Sequence, residues 1–170
     1  MLYPQRGFTL FDTLISTVLL AILLGMGIPA LQHFLIENRL TITANELIAH
    51  LRLARSEAIW RHQRVVVCPR QRTQDQCAND WAQGWMLFVD SNGNLKRDAD
   101  ELIVRHFGPL AANLSLQSGG RQQVVFQAHG RTPGSNATFT LCHLATPSSR
   151  QVILSGSGRT RVEKQSLCST

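Results

Sequence analysis

Two hydrophobic rhythms divide the chain. From Thr13 to Ile36 no charged residue interrupts a run rich in Leu, Ile, Val, Met and Phe, 24 positions in all. As a helix this run extends about 36 Å at roughly 1.5 Å per residue, enough to cross a bilayer. Gly25, Gly27 and Pro29 lie inside it, and the proline removes one helix hydrogen bond and favours a kink. The helical reading then continues to about Arg61 in a second rhythm. Leu40, Ala44, Leu47, Ile48, Leu51, Ala54, Ala58 and Ile59 recur at three- and four-residue steps, which marks one face for packing on a globular domain. Arg39, Arg52, Arg55 and Arg61 fall mostly on the other faces and read as solvated helix surface.

Beyond Arg64 the pattern changes to short runs rich in Val, Ile, Phe and Thr: Arg64–Pro69, Trp85–Asp90, Glu101–Phe107, Val124–Ala128, Thr138–His143 and Gln151–Ser155. Such runs predict strands. Gly, Asn, Pro and Ser clusters punctuate them, as at Ser118-Gly119-Gly120 and Thr132-Pro133-Gly134. A long helix followed by antiparallel strands predicts an α+β fold, and 170 residues suffice for one domain plus an extra element.

Composition sharpens this outline. A net charge of +6 favours an anionic partner: nucleic acid, a phospholipid surface or an acidic protein. The four cysteines, Cys68, Cys77, Cys142 and Cys168, form no close C-x-x-C pair of the kind zinc sites use. An even count suits two disulfides in an oxidising compartment, with local pairing of Cys68 with Cys77 and Cys142 with Cys168 favoured.

Enzyme chemistry finds little support. No G-x-S-x-G, H-E-x-x-H or phosphate-binding glycine loop is present, and the six histidines lie in no recognisable motif. No cofactor or metal is expected. The segment from Asp90 to Glu101 places oxygen ligands at positions 1, 3, 5 and 12 of an EF-hand-like frame. Its sixth position, however, is Leu95 rather than glycine, and strands flank it, so an Asn92-Gly93 hairpin turn is the preferred reading. Trp81 and Trp85 could stack on exposed bases but read better as core aromatics beside the Cys68–Cys77 loop.

The basic tail is more informative. In an extended segment Arg159 and Arg161 fall on one face about 6.6–7 Å apart, close to the phosphate spacing along one DNA strand. Gly156 and Gly158 let backbone approach a ligand closely, and Arg150 and Lys164 could widen the patch. Arginine forks grip phosphate oxygens without reading sequence. A solvated edge strand, guarded by its charges, is the alternative.

The N-terminus carries a family resemblance. Gly7-Phe8-Thr9-Leu10-Phe11-Asp12-Thr13-Leu14 resembles the prepilin motif of type IV pilins and type II secretion pseudopilins. The resemblance implies that a prepilin peptidase cuts after Gly7 and methylates Phe8. That cut leaves the apolar helix on the mature subunit, unlike the removal of a secretory signal. Asp12 stands where the family has glutamate. A carboxylate at the edge of an apolar helix needs a partner, which the resemblance supplies as a neighbouring subunit's amine during filament assembly.

Three further stretches narrow the family. They are Asn38-Arg39-Leu40 through Leu53-Ala54-Arg55-Ser56-Glu57-Ala58, then Gly84-Trp85-Met86-Leu87-Phe88-Val89-Asp90, and the tail Gly158-Arg159-Thr160-Arg161. Together they are similar to the GspH/FimT branch of minor pilins and pseudopilins. The tail resembles the G-R-x-R motif of FimT-type minor pilins, which bind DNA during natural transformation. The resemblance therefore implies a pilin-like fold and residues 1–7 as leader. Residues 8–36 become a helix first in the bacterial inner membrane and then in the filament core. Residues 37–170 become a periplasmic domain, later at the cell surface near a pilus tip. It implies double-stranded DNA and other pilins as partners. The rival expectations are a GspH-type pseudopilin of a secretion filament and a priming subunit of a twitching pilus.

Overall fold

A computed structural model describes residues 9–71, 75–165 and 168; Gly7 and Phe8, the expected cleavage and methylation positions, lie outside them. The chain opens on helix α1, Leu10–Arg61. Its first turn closes on itself. The Thr9 backbone N–H and hydroxyl both donate to Asp12 Oδ2, at 3.1 and 2.7 Å, and the Asp12 N–H donates to Thr9 Oγ1 at 3.3 Å. This is a capping box with aspartate in the place of glutamate, so Asp12 has a partner within its own chain. The hydroxyls of Thr13, Ser16 and Thr17 donate to the carbonyls of Leu10, Asp12 and Leu14, which satisfies the polar groups of the apolar stretch inside the helix. Large apolar side chains from Leu10 to Leu35 are exposed, and by length and composition the helix can cross a membrane.

The chain divides into two compact units after Asn38. In the second, α1 buries Leu40, Ala44, Leu47, Ile48, Leu51, Ala54 and Ala58, the stripe that three- and four-residue spacing predicts. Ile59, expected on the same face, is 44% exposed.

Among the described residues eight strands follow, all paired antiparallel: β1 Arg64–Pro69, β2 Trp85–Asp90, β3 Ile103–His106, β4 Leu114–Gln117, β5 Val124–Phe126, β6 Ala137–His143, β7 Ser149–Leu154 and β8 Thr160–Gln165. They form two four-stranded sheets, β3-β2-β1-β5 and β4-β6-β7-β8. Strand β2 is buried throughout because both faces of the first sheet are covered. On one face the Trp85 indole N–H donates to His50 Nδ1 of α1 at 3.1 Å, and Trp85 stacks on Phe107 at 4.3 Å. On the other, Met86 and Phe88 join Val66, Cys68 and Val125 beneath Cys77, Leu95 and Ile103. Trp81 is also core: its indole N–H donates to the Arg121 carbonyl at 2.8 Å and its ring meets Phe139 edge-on. Neither Trp81 nor Trp85 presents a face to a ligand, as both are at most 2% exposed. Disulfides join Cys68 to Cys77 and Cys142 to Cys168.

Several expectations are corrected. The third run is shorter than Glu101–Phe107 because the Glu101 carboxylate turns back onto the preceding loop, accepting from the Ser91 and Asp98 N–H groups. No tight Asn92-Gly93 hairpin exists; residues 91–102 form a long connection between β2 and β3. The fifth strand stops at Phe126, since the Gln127 N–H leaves the ladder for the Arg131 carbonyl at 2.9 Å. Strands β4 and β8 are additional.

Candidate functional site

The Gly158-Arg159-Thr160-Arg161 segment lies at the turn between β7 and β8. The Ser155 N–H donates to the Arg159 carbonyl at 2.9 Å, leaving Gly156-Ser157-Gly158 as a three-residue hairpin loop. Such loops commonly end on a left-handed residue, and Gly158 has φ +77. A side chain there would also collide with backbone: a Cβ would stand 2.3 Å from the Gly130 carbonyl oxygen. The turn is tied down by neighbouring loops. The Thr132 N–H donates to the Gly156 carbonyl at 2.9 Å and the Thr132 hydroxyl to the Ser155 carbonyl at 2.9 Å. At the far end, the Cys142–Cys168 disulfide anchors the chain just beyond β8 to β6.

The alternation of an extended strand places Arg159 and Arg161 on the same face. Arg161 stands opposite Ile153 on β7, and a cleft of about 440 Å³ on this face is lined by Ile153, Ser155, Arg159, Thr160 and Arg161. Arg161 Nε pairs with Glu163 Oε1 at 3.1 Å, both side chains being largely exposed.

Arg150 and Lys164 do not extend this face. They pair with each other across the strands, one residue out of phase with Arg161, and Arg150 Nη2 reaches Thr41 Oγ1 of α1 at 3.5 Å. By the period of two in a strand these two lie on the hairpin's other face, towards α1.

Two other arginines take their place. Arg55 Nη1 donates to the Gly158 carbonyl at 3.1 Å, and Arg52 Nε to the Thr160 hydroxyl at 3.4 Å. Arg52, Arg55, Gly158, Arg159 and Thr160 line a second cleft of about 230 Å³. Arg159 borders both clefts, so four guanidinium groups surround the hairpin tip with Glu163 as the carboxylate beside them. Helical periodicity put Arg52 and Arg55 on the polar side of α1 but carried no sign of the loop that meets them. Their three-residue spacing, which places both on one side of a helix, was the available signal.

This tip can hold an anion by charge and donor density. It offers no nucleophile paired with a base, and among the described residues no group of three or more His, Cys, Asp or Glu side chains is placed to hold a metal.

Residues 43–158, more than half of the chain, match the family described as "Type II transport protein GspH". The chain belongs to the GspH family. It is 30% identical over 167 residues to "Pilin-like protein PilA1" of Thermus thermophilus, covering 94% of this chain and 99% of that one. Its fold matches a crystal structure of the type IV minor pilin FimU of Pseudomonas aeruginosa with a TM-score of 0.63 and 26% identity, over 80% of this chain and 99% of that one. A second crystal form of FimU gives a TM-score of 0.60 at 23% identity, over 76% of this chain and all of that one. This GspH-family chain is thus a pilin-like filament subunit with an apolar N-terminal helix and a globular domain. The family match ends at Gly158, so Arg159 and Arg161 follow directly on the shared region.

Proposed function

We propose that this chain is a minor type IV pilin that binds double-stranded DNA without sequence preference, for DNA uptake in natural transformation. The observation that carries this reading is the meeting of Arg52, Arg55, Arg159 and Arg161 at one hairpin tip. Guanidinium groups bind phosphate oxygens with fixed geometry and supply position rather than base readout. The protein contributes contacts only, and a separate motor retracts the filament. In this reading prepilin peptidase removes residues 1–7 and methylates Phe8, and residues 8–36 sit in the inner membrane with the domain in the periplasm. The helix then enters the filament near its tip, with Asp12 exchanging its Thr9 partner for a neighbour's amine.

The test is a titration of the full chain, in detergent micelles, with duplex DNA at several salt concentrations. Replacing Arg159 and Arg161 together by alanine should weaken binding to any sequence and reduce the salt slope by about 1.8, at roughly 0.9 per phosphate. Unchanged affinity and slope in the double variant would overturn the reading. The description of the matched family as a type II transport protein favours a second reading, a pseudopilin of a secretion filament, and that reading predicts no saturable DNA binding by the wild-type chain.

A further inference from the structure

The connection between β2 and β3 holds an arrangement that neither the filament role nor the basic tip uses. From Asp90 to Glu101, side-chain oxygens fall at positions 1, 3, 5, 9 and 12 of a twelve-residue frame: Asp90, Asn92, Asn94, Asp98 and Glu101. Position 7, Lys96, contributes a carbonyl in calcium loops of this spacing. Position 6 must turn sharply, normally through glycine. Here Leu95 takes the turn itself with φ +63, and its side chain packs on the cluster of Val66, Met86 and Phe88. Packing thus holds a conformation that leucine alone disfavours. The backbone curls around the side-chain oxygens: the Gly93 N–H donates to Asp90 Oδ1 at 2.9 Å, the Asn94 N–H to Asn92 Oδ1 at 3.0 Å and the Lys96 N–H to Asn94 Oδ1 at 2.7 Å.

An independent observation points to a cation ligand. Asp90 is 2% exposed, and its Oδ2 is buried with no hydrogen-bond partner. The bond from Gly93 to Oδ1 turns this carboxylate into the loop. A buried carboxylate oxygen without a donor is costly. Arg64 stands opposite Asp90 in register, yet its Nη1 donates to the Gly93 carbonyl at 3.3 Å. Asp98 Oδ2 accepts from the Asn92 and Asn94 side-chain amides at 2.7 and 2.6 Å, which gathers three of the frame's side chains together.

We propose that the Asp90–Glu101 loop is a calcium site, with Asp90 Oδ2, the Asn92 and Asn94 oxygens, the Lys96 carbonyl and the Asp98 and Glu101 carboxylates as its ligands. No compact group of three acidic side chains is preformed among the described residues; amide and backbone oxygens complete the set, as a hard cation with six to eight ligands permits. Two asparagines, and the positive side chains of Lys96 and Arg97, place the affinity at the weak end, with a Kd of about 10⁻⁴–10⁻³ M, the range of extracellular calcium modules. Magnesium is smaller and demands strict octahedral geometry with several retained waters, so a twelve-residue frame offering six protein ligands discriminates against it.

The test is equilibrium dialysis of the full chain, in detergent micelles, against radioactive calcium, with magnesium as competitor. The expected result is saturable uptake of one ion per chain, insensitive to equimolar magnesium and weakened at least tenfold by Asp90→Asn and by Asp98→Asn. Asp90 also anchors a turn; should its variant fail to fold, the more exposed Asp98→Asn decides. No saturable uptake up to about 10 mM calcium, ten times the weak end of that range, or wild-type affinity in Asp98→Asn, would overturn the proposal. DNA binding takes no part in this measurement, so its outcome is independent of the function proposed for the basic tip.

Discussion

The β2–β3 connection and the β7–β8 hairpin are both loops at strand ends, and they treat charge in opposite ways. The first turns the carboxylates at its two ends, Asp90 and Glu101, inward. Glu101 is 5% exposed and accepts two backbone N–H groups, and Asp90 is buried with one oxygen unpartnered. The second turns its guanidinium groups outward around a tip whose backbone is tied to the Thr132 loop and to Arg55. An inward ring of oxygens suits a small ion that must be desolvated on all sides. An outward ring of arginines suits a large polyanion that stays hydrated on its far side. Each loop also contains a residue at positive φ close to its charged groups, and what that residue meets differs.

The largest expected effect breaks this comparison at its backbone. Gly158 and Gly93 both have positive φ, but a Cβ at Gly158 meets the Gly130 carbonyl at 2.3 Å, whereas at Gly93 it meets the flexible end of Arg64 at 3.0 Å. Gly158→Ala should cost about 2–4 kcal/mol, the left-handed penalty plus displacement of backbone. Gly93→Ala should cost about 1 kcal/mol, the left-handed penalty alone. Urea denaturation of the two variants measures the difference. Equal losses would show that the Gly130 loop yields freely and does not brace the basic tip.

These loops also mark where reading the sequence succeeds and stops. Strands β1 and β2 were legible to the residue, because each is a near-continuous apolar run buried on both faces. The helix end at Arg61 and the stripe from Leu40 to Ala58 followed from periodicity. Strand β4 is short and half polar. Strand β8 has Val162 as its large apolar residue, and pairing with β7 defines it, so local pattern carried little of either. The glycine and two arginines of the tail were legible as a motif, but their neighbours were not. Arg52 and Arg55 reach residues more than 100 positions away, a contact that no local spacing encodes. Leu95 is a related case: its side chain is held by a core assembled from distant strands, so its positive φ is set by packing that no local spacing encodes.

A smaller effect separates the two sheets by pH. His50 sits between α1 and the first sheet, accepting the Trp85 indole N–H on Nδ1. Burial, followed by the charge of Arg105, holds its pKa below the ordinary 6.5. The folded state therefore binds fewer protons than the unfolded state, and the stability present above pH 6.5 declines as pH falls beneath it. Thermal unfolding between about pH 7.5 and 5.5, a window that brackets the ordinary histidine value, should show a falling midpoint, and His50→Gln should flatten the profile. A midpoint equally steep in that variant would place the sensitive group elsewhere. The β7–β8 hairpin contains no histidine, so the DNA affinity of the folded chain should change little over this range.

The smallest effect tests the basic tip from its own counter-ion. Glu163 holds Arg161 through an exposed pair at 3.1 Å, a contact worth about 0–1 kcal/mol. DNA phosphate must compete with that carboxylate for the same guanidinium. Glu163→Gln should therefore tighten DNA binding by about two- to fivefold at low salt, within the range of one such pair. The gain should fade as salt rises, because exposed charges are screened over about 10 Å at roughly 0.1 M. Most of the gain should also require Arg161: in an Arg161→Ala background the same substitution removes only a distant negative charge. A double-mutant cycle on DNA affinity isolates that coupling. If Glu163→Gln tightens binding equally with and without Arg161, the carboxylate acts through the general field. The contact to phosphate would then rest with Arg159, Arg52 and Arg55, on the α1 side of the hairpin tip.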